Sequence, residues 1–121
     1  MPHPEQILLI DDDRQILRLF THILVDGGFS VAVASSGNKA LELLKTRAFK
    51  LVIVDMNMPH PDGFEVLKAI RFLPQRPRVL AISGFEKGEL LGAAGFLGAD
   101  ATLSKGDAPV LLLATANNLI G

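Results

Sequence analysis

Four short stretches of this chain carry side chains that can act on phosphorus, and they lie far apart in sequence. They are Asp11, Asp12 and Asp13 in LLIDDD, Asp55 in LVIVDMNMP, Ser83 in AISG, and Lys105 in LSKG. A carboxylate is a nucleophile toward phosphorus and gives an acyl phosphate. Several carboxylates in one small space repel each other and need a counter-ion. An all-oxygen donor set, in a chain without cysteine, favours Mg²⁺, which takes one or two carboxylates, keeps waters and bridges to a phosphoryl oxygen. Phosphoryl transfer asks chiefly for positioning and for neutralisation of the equatorial oxygens. Lys105 offers a flexible point charge to one of them, and the Ser83 hydroxyl offers a hydrogen bond to another.

The pattern of elements is what would bring these residues together. QILLI (Gln6 to Ile10), SVAVA (Ser30 to Ala34), LVIV (Leu51 to Val54), RVLAIS (Arg78 to Ser83) and ATLS (Ala101 to Ser104) read as short strands. Between them, apolar residues recur at helical spacing: Ile16, Leu17, Phe20, Ile23 and Leu24; then Ala40, Leu41, Leu43 and Leu44; then Val66, Leu67 and Ile70. Asp12 or Asp13 caps the first helix and Ser35 or Ser36 the second. PHPDG, Pro59 to Gly63, is turn chemistry. A glycine-rich helical segment is expected over roughly 86–97, and Pro109 suits the first turn of a last helix. Alternating strands and helices predict an α/β fold, with one doubly wound, five-stranded parallel sheet and about five helices joined by right-handed crossovers. Ligands of such sheets bind beyond the carboxyl ends of the strands, where strand order reverses. Asp11 to Asp13, Asp55, Ser83 and Lys105 all fall at strand ends and should meet on one rim.

Composition narrows the classes. A chain of 121 residues, 49% hydrophobic, fits one domain spanning residues 1–121. A formal charge of −1 offers no field for nucleic acid or an anionic membrane. No helix-turn-helix or basic stripe is present, so no nucleic-acid contact is expected from this segment. No apolar run reaches the roughly 18 residues of a membrane span, and MPHPEQ lacks the layout of a signal peptide. A cytoplasmic location is the expectation.

In this order and spacing, LLIDDD, LVIVDMNMPHPDG, AISG and LSKG resemble the receiver domain of two-component response regulators, over essentially the whole chain. The resemblance implies the flavodoxin-like strand order 2-1-3-4-5. It implies that Asp55 is the phosphoacceptor and that Asp11 and Asp12 are the acidic pair of the metal site, where Asp12, Asp55 and the Asn57 backbone carbonyl would hold Mg²⁺. Ser83 becomes the switch hydroxyl and Lys105 the phosphate-binding lysine, while Pro59 and Gly63 match the loop after the phosphoacceptor. The implied activity is that of a signalling module in a phosphorelay. A histidine kinase or histidine phosphotransfer protein donates to Asp55, and the phosphorylated form shifts a surface that a partner reads. Such a domain promotes its own phosphorylation and dephosphorylation without a metabolic substrate.

Taken singly, each signal has a plainer reading: an aspartate run as a helix cap, one aspartate at a strand end as a turn residue. Their joint order carries the resemblance. Asp13 reads as a cap or support, His3, His22 and His60 as surface residues, and Met56 and Met58 as packing or loop residues. Two other functions stay open. An Mg²⁺-dependent phosphatase with an aspartyl nucleophile would want a second acid–base carboxylate two residues on, where this chain has Asn57, and room for a substrate cap. A pseudo-receiver would bind partners without phosphorylation, against which stands the intact set Asp12, Asp55, Ser83 and Lys105.

The departures from the family pattern are specific. Gly106 follows the lysine where proline is usual. Thr102 stands where a tyrosine or phenylalanine usually moves with the switch hydroxyl, and the chain has no tyrosine. Phe85 lies two residues past Ser83 and cannot orient water, so slow hydrolysis of the acyl phosphate is expected. Finally, the end of the chain, 86–121, is poor in basic residues: of 12 Lys and Arg only Lys105 lies beyond Lys87, and APVLLLATANNLIG, Ala108 to Gly121, has no charged residue. A homodimer or another partner contact is expected through this face, with Leu112 or Leu113 pointing outward.

Overall fold

The computed structural model describes residues 6–84, 95 and 97–121. Its strands are β1 (Ile7–Ile10), β2 (Val31–Ala34), β3 (Leu51–Asp55), β4 (Arg78–Ser83) and β5 (Ala101–Ser104), all parallel, in the order β2-β1-β3-β4-β5. The helices among the described residues are α1 (Arg14–Asp26), α2 (Gly37–Thr46), α3 (Gly63–Arg71) and α4 (Ala108–Ile120). The helix expected over 86–97 lies outside the described residues except for Gly95 and Leu97.

Both faces of the sheet are covered, which is why its central strands are apolar without alternation. Leu8, Ile10, Val52, Val54, Val79 and Ala81 face one layer, closed by Ala40 and Leu44 of α2 and Val66, Leu67 and Ile70 of α3. Ile7, Leu9, Leu51, Ile53, Leu80 and Ile82 face the other, closed by Leu17, Phe20 and Leu24 of α1 and Ala108, Leu112 and Ala116 of α4. The two-residue period of a strand produces this division.

Capping resolves the alternatives left by sequence. The Asp13 carboxylate accepts from the Gln15 and Ile16 amides and starts α1, and the Ser36 hydroxyl accepts from the Lys39 amide and starts α2. The PHPDG turn ends on Asp62, which caps α3 by accepting from the Glu65 amide. Pro109 sits in the first turn of α4. One boundary differs with consequence. The third strand does not stop at Val54, because Asp55 pairs with Ile82 and the Met56 amide continues the ladder to the Ile82 carbonyl. Asp55 is therefore held by a sheet and not by a loop.

On α4 the expectation for Leu112 and Leu113 is corrected. Leu112 is buried, and half-buried Leu113 packs its tip onto Gly27, where any side chain would collide with it. The outward residues are Val110, 82% exposed, and Leu111, 43% exposed. No helix among the described residues is long and apolar enough to cross a membrane.

Candidate functional site

The register sets the site. Ile10 pairs with Val54, so Asp11, just past β1, lies beside Asp55, the last residue of β3. Both are buried, at 3% and 2% exposure, while neighbouring Asp12 is exposed. Carboxylate oxygens of Asp11, Asp12 and Asp55 all lie within 4.8 Å of one another. Each buried carboxylate is aimed by the backbone two residues on: the Asp13 amide donates to Asp11 Oδ1 at 2.9 Å, and the Asn57 amide donates to Asp55 Oδ1 at 3.0 Å. These turns hold one oxygen of each group and leave the other free to act.

Lys105, just past β5, reaches that second oxygen in both cases. Its Nζ lies 3.3 Å from Asp55 Oδ2 and 3.7 Å from Asp11 Oδ2. The Lys105 amide also donates to the Ser83 carbonyl at 2.6 Å, tying the end of β5 to the end of β4. Burial pushes the Asp11 carboxyl up to about 7; the charges of Asp55 and Asp12 add to this, and the Asp13 amide and Lys105 oppose it. Burial of Lys105 disfavours its own charge, but Asp55, Asp11 and Asp12 together outweigh that and raise its pKa above the ordinary lysine value. The result is a desolvated anionic pair with one cation and a third carboxylate at the solvent side. Such an all-oxygen set fits a hard divalent ion such as Mg²⁺.

Ser83 ends β4 and is fully buried. Its hydroxyl donates to Asn57 Oδ1 at 2.9 Å, and the Gly84 amide donates to the same oxygen at 3.0 Å. The sequence reading gave Asn57 only a backbone part. Its side chain takes a second one, visible only once the register of β3 against β4 is known, since that register sets residue 57 beside residues 83 and 84.

Two glycines let the loop after Asp55 close on the site. A Cβ at Gly63 would stand 2.8 Å from the Asp55 carbonyl oxygen and 2.7 Å from Met56 Sδ, and one at Gly37 would overlap the Pro61 carbonyl. The starts of α3 and α2 thus press on the loop from both sides. Met56 and Met58 are buried packing residues, as expected. His22 is exposed, and His60 lies at the surface against Glu65; His3 lies outside the described residues. The one cis peptide among the described residues is His60–Pro61, so the bond after Lys105 is trans. Thr102 is exposed on β5, and Phe85 lies outside the described residues.

Comparison with known proteins gives the family and the fold. The family model of the response regulator receiver domain matches residues 7–117. The transcriptional regulatory protein CpxR of Escherichia coli K12 is 41% identical over 101 residues, which are 83% of this chain and 42% of CpxR. The alginate biosynthesis transcriptional regulatory protein AlgB of Pseudomonas putida is 36% identical over 115 residues, 94% of this chain and 26% of AlgB. The chain therefore spans less than half the length of these curated relatives. Among solved structures, the CheY-like receiver domain protein of Methanospirillum hungatei superposes with a TM-score of 0.86 at 28% identity, covering 98% of this chain and 94% of that one. Chemotaxis protein CheY4 of Vibrio cholerae does so with a TM-score of 0.86 at 30% identity, covering 97% and 99%.

Proposed function

This chain belongs to the response regulator receiver domain family of two-component systems, and on that premise we propose that Asp55 accepts a phosphoryl group from a phosphohistidine partner. Receiver domains are signalling modules and not metabolic enzymes. Here the donor would be a histidine kinase or a histidine phosphotransfer protein. A carboxylate oxygen of Asp55 attacks phosphorus; the P–O bond forms as the P–N bond breaks, and the imidazole leaves with that electron pair. Lys105 holds one phosphoryl oxygen as a point charge, and the Ser83 hydroxyl donates to another. Asp11, Asp12, Asp55 and the Asn57 backbone carbonyl would hold Mg²⁺, which when bound neutralises phosphoryl oxygen charge.

The observation that carries this reading is Asp55 itself. It is a carboxylate buried to 2% exposure, within 4.8 Å of two others, facing a lysine at 3.3 Å. Buried like charges are costly unless something completes them, and a cation with a phosphoryl group does so. Incubation with acetyl phosphate or phosphoramidate, read by intact mass, tests it. One phosphoryl group should add to the wild type in Mg²⁺, and none to Asp55→Asn or to the wild type in EDTA. Undiminished labelling in either control defeats the assignment. The surface read by a partner, on this proposal, is the uncharged face of α4 and β5, where Val110, Leu111 and Thr102 are exposed; a homodimer through this face is the simplest occupant.

A further inference from the structure

We infer that the Asn57 carboxamide is a latch on the Ser83 hydroxyl which phosphorylation of Asp55 has to open, so that Asn57 is a positioning residue for the switch. The inference rests on the phosphoacceptor reading of Asp55.

Two hydrogen bonds fix its geometry. The Gly84 amide can only donate, so the Asn57 atom facing it at 3.0 Å is the carbonyl oxygen and not the nitrogen. Ser83 Oγ lies 2.9 Å from that same oxygen and must therefore be the donor to it. A carbonyl oxygen has two lone pairs and accepts both bonds, but the hydroxyl has one proton. While that proton is spent on Asn57, none is left for a phosphoryl oxygen on Asp55.

The burial of the partners is unequal. Ser83 is fully buried, and Asn57 is exposed. After release, water can satisfy the Asn57 oxygen, but a buried Ser83 hydroxyl that leaves the latch needs a new acceptor. A charged phosphoryl oxygen is such an acceptor, and a stronger one than an amide. Without it the latch closes again. The hydroxyl thus has two discrete partners, and the charge on Asp55 decides between them.

One residue also joins the two ends of the device. The Asn57 amide donates to Asp55 Oδ1 at 3.0 Å while its carboxamide holds Ser83 and Gly84. Displacement of the side chain frees the Gly84 amide at the same time, and with it the start of the connection that follows β4.

Beryllofluoride with Mg²⁺, a mimic of the acyl phosphate, is the probe, and its titration is followed by NMR in the intact chain. Asn57→Ala should tighten binding about fivefold, the factor for releasing one neutral hydrogen bond. In a Ser83→Ala background the gain should shrink toward none, and in a Ser83→Thr background, where a hydroxyl returns, it should reappear. In the free protein the Gly84 amide should move upfield and exchange faster in Asn57→Ala. Equal tightening with and without a residue-83 hydroxyl, unchanged or weaker binding, or an unmoved Gly84 amide overturns the latch. Beryllofluoride binding that persists in Asp55→Asn overturns the phosphoacceptor reading and the switch with it; because the Gly84 amide is read in the free protein, the two failures are told apart.

Discussion

Asp11 and Asp55 are charges held out of water at the carboxyl edge of the sheet, whereas Val110 and Leu111 are hydrocarbons left in water on α4. Each region inverts the usual distribution of residues between interior and surface. The rim is rigid, because β1 and β3 fix Asp11 and Asp55 and two backbone amides aim them. Its incompleteness is electrostatic, and a small charged ligand answers it. The α4 face carries no charge at all from Ala108 to Gly121. Its incompleteness is one of apolar area, and only a macromolecular surface answers that. On the proposed function the first would serve the chemical input and the second the physical output.

The sharpest way to break the comparison is to remove the strain at the rim. Asp11→Asn keeps an acceptor for the Asp13 amide and deletes one buried charge. Above pH 7, without metal, the protein should gain up to about 4 kcal/mol of stability, the cost implied by a carboxyl pushed up to about 7. Labelling of Asp55 should fall at the same time. Denaturant unfolding at pH 8 in EDTA checks it, and a loss of stability would mean that the charge is not costly there.

A smaller effect of the same origin appears with pH. Asp11 binds its proton more tightly folded than unfolded, so its contribution to stability falls as pH rises from about 4 to about 7 and is level above that. The raised Lys105 acts only at alkaline pH, where its contribution is lost as pH rises through its folded value. Stability of the metal-free protein should therefore rise on going from pH 8 to 5.5, by about 1.4 kcal/mol for each unit inside the window. The slope should vanish in Asp11→Asn and flatten in saturating Mg²⁺, which favours the charged carboxylates. Thermal scans across pH, with and without Mg²⁺, would show this; equal slopes in all three would place the titrating group elsewhere.

The same two regions differ in how much of them could be read from sequence. The strands ending at the rim were legible because a sheet covered on both faces demands unbroken apolar runs, and ILLI and LVIV are such runs. The convergence of Asp11, Asp55, Ser83 and Lys105 followed from strand ends alone. What was not legible depended on register: that Asp55 belongs to its strand through pairing with Ile82, and that the Asn57 side chain meets Ser83 and Gly84. On α4 the failure has another cause. VLLL, Val110 to Leu113, presents apolar side chains in every direction, so no stripe marks the inward side. The inward side is set by Ala108, Leu112 and Ala116, spaced by four, where two small residues let the helix approach the sheet.

The last prediction tests the α4 face by an effect that should be nearly silent on stability. Val110→Glu and Leu111→Glu place a charge where hydrocarbon now meets water, so each should change folding stability by no more than about 0.5 kcal/mol. A core role would cost several times that, as expected instead for Leu112→Ala, with loss of about 2–5 kcal/mol. Association should respond differently. If α4 and β5 form the face on which a second copy docks, a glutamate at residue 110 or 111 desolvates without a partner and weakens the dimer. Labelling of Asp55 should be untouched, because residues 110 and 111 lie on α4, which supplies none of the charged side chains of the rim. Sedimentation across concentration, with and without beryllofluoride and Mg²⁺, separates these outcomes. A glutamate that leaves association intact would mean that the exposed hydrocarbons of α4 are not the output surface, and that the comparison with the rim fails on its second half.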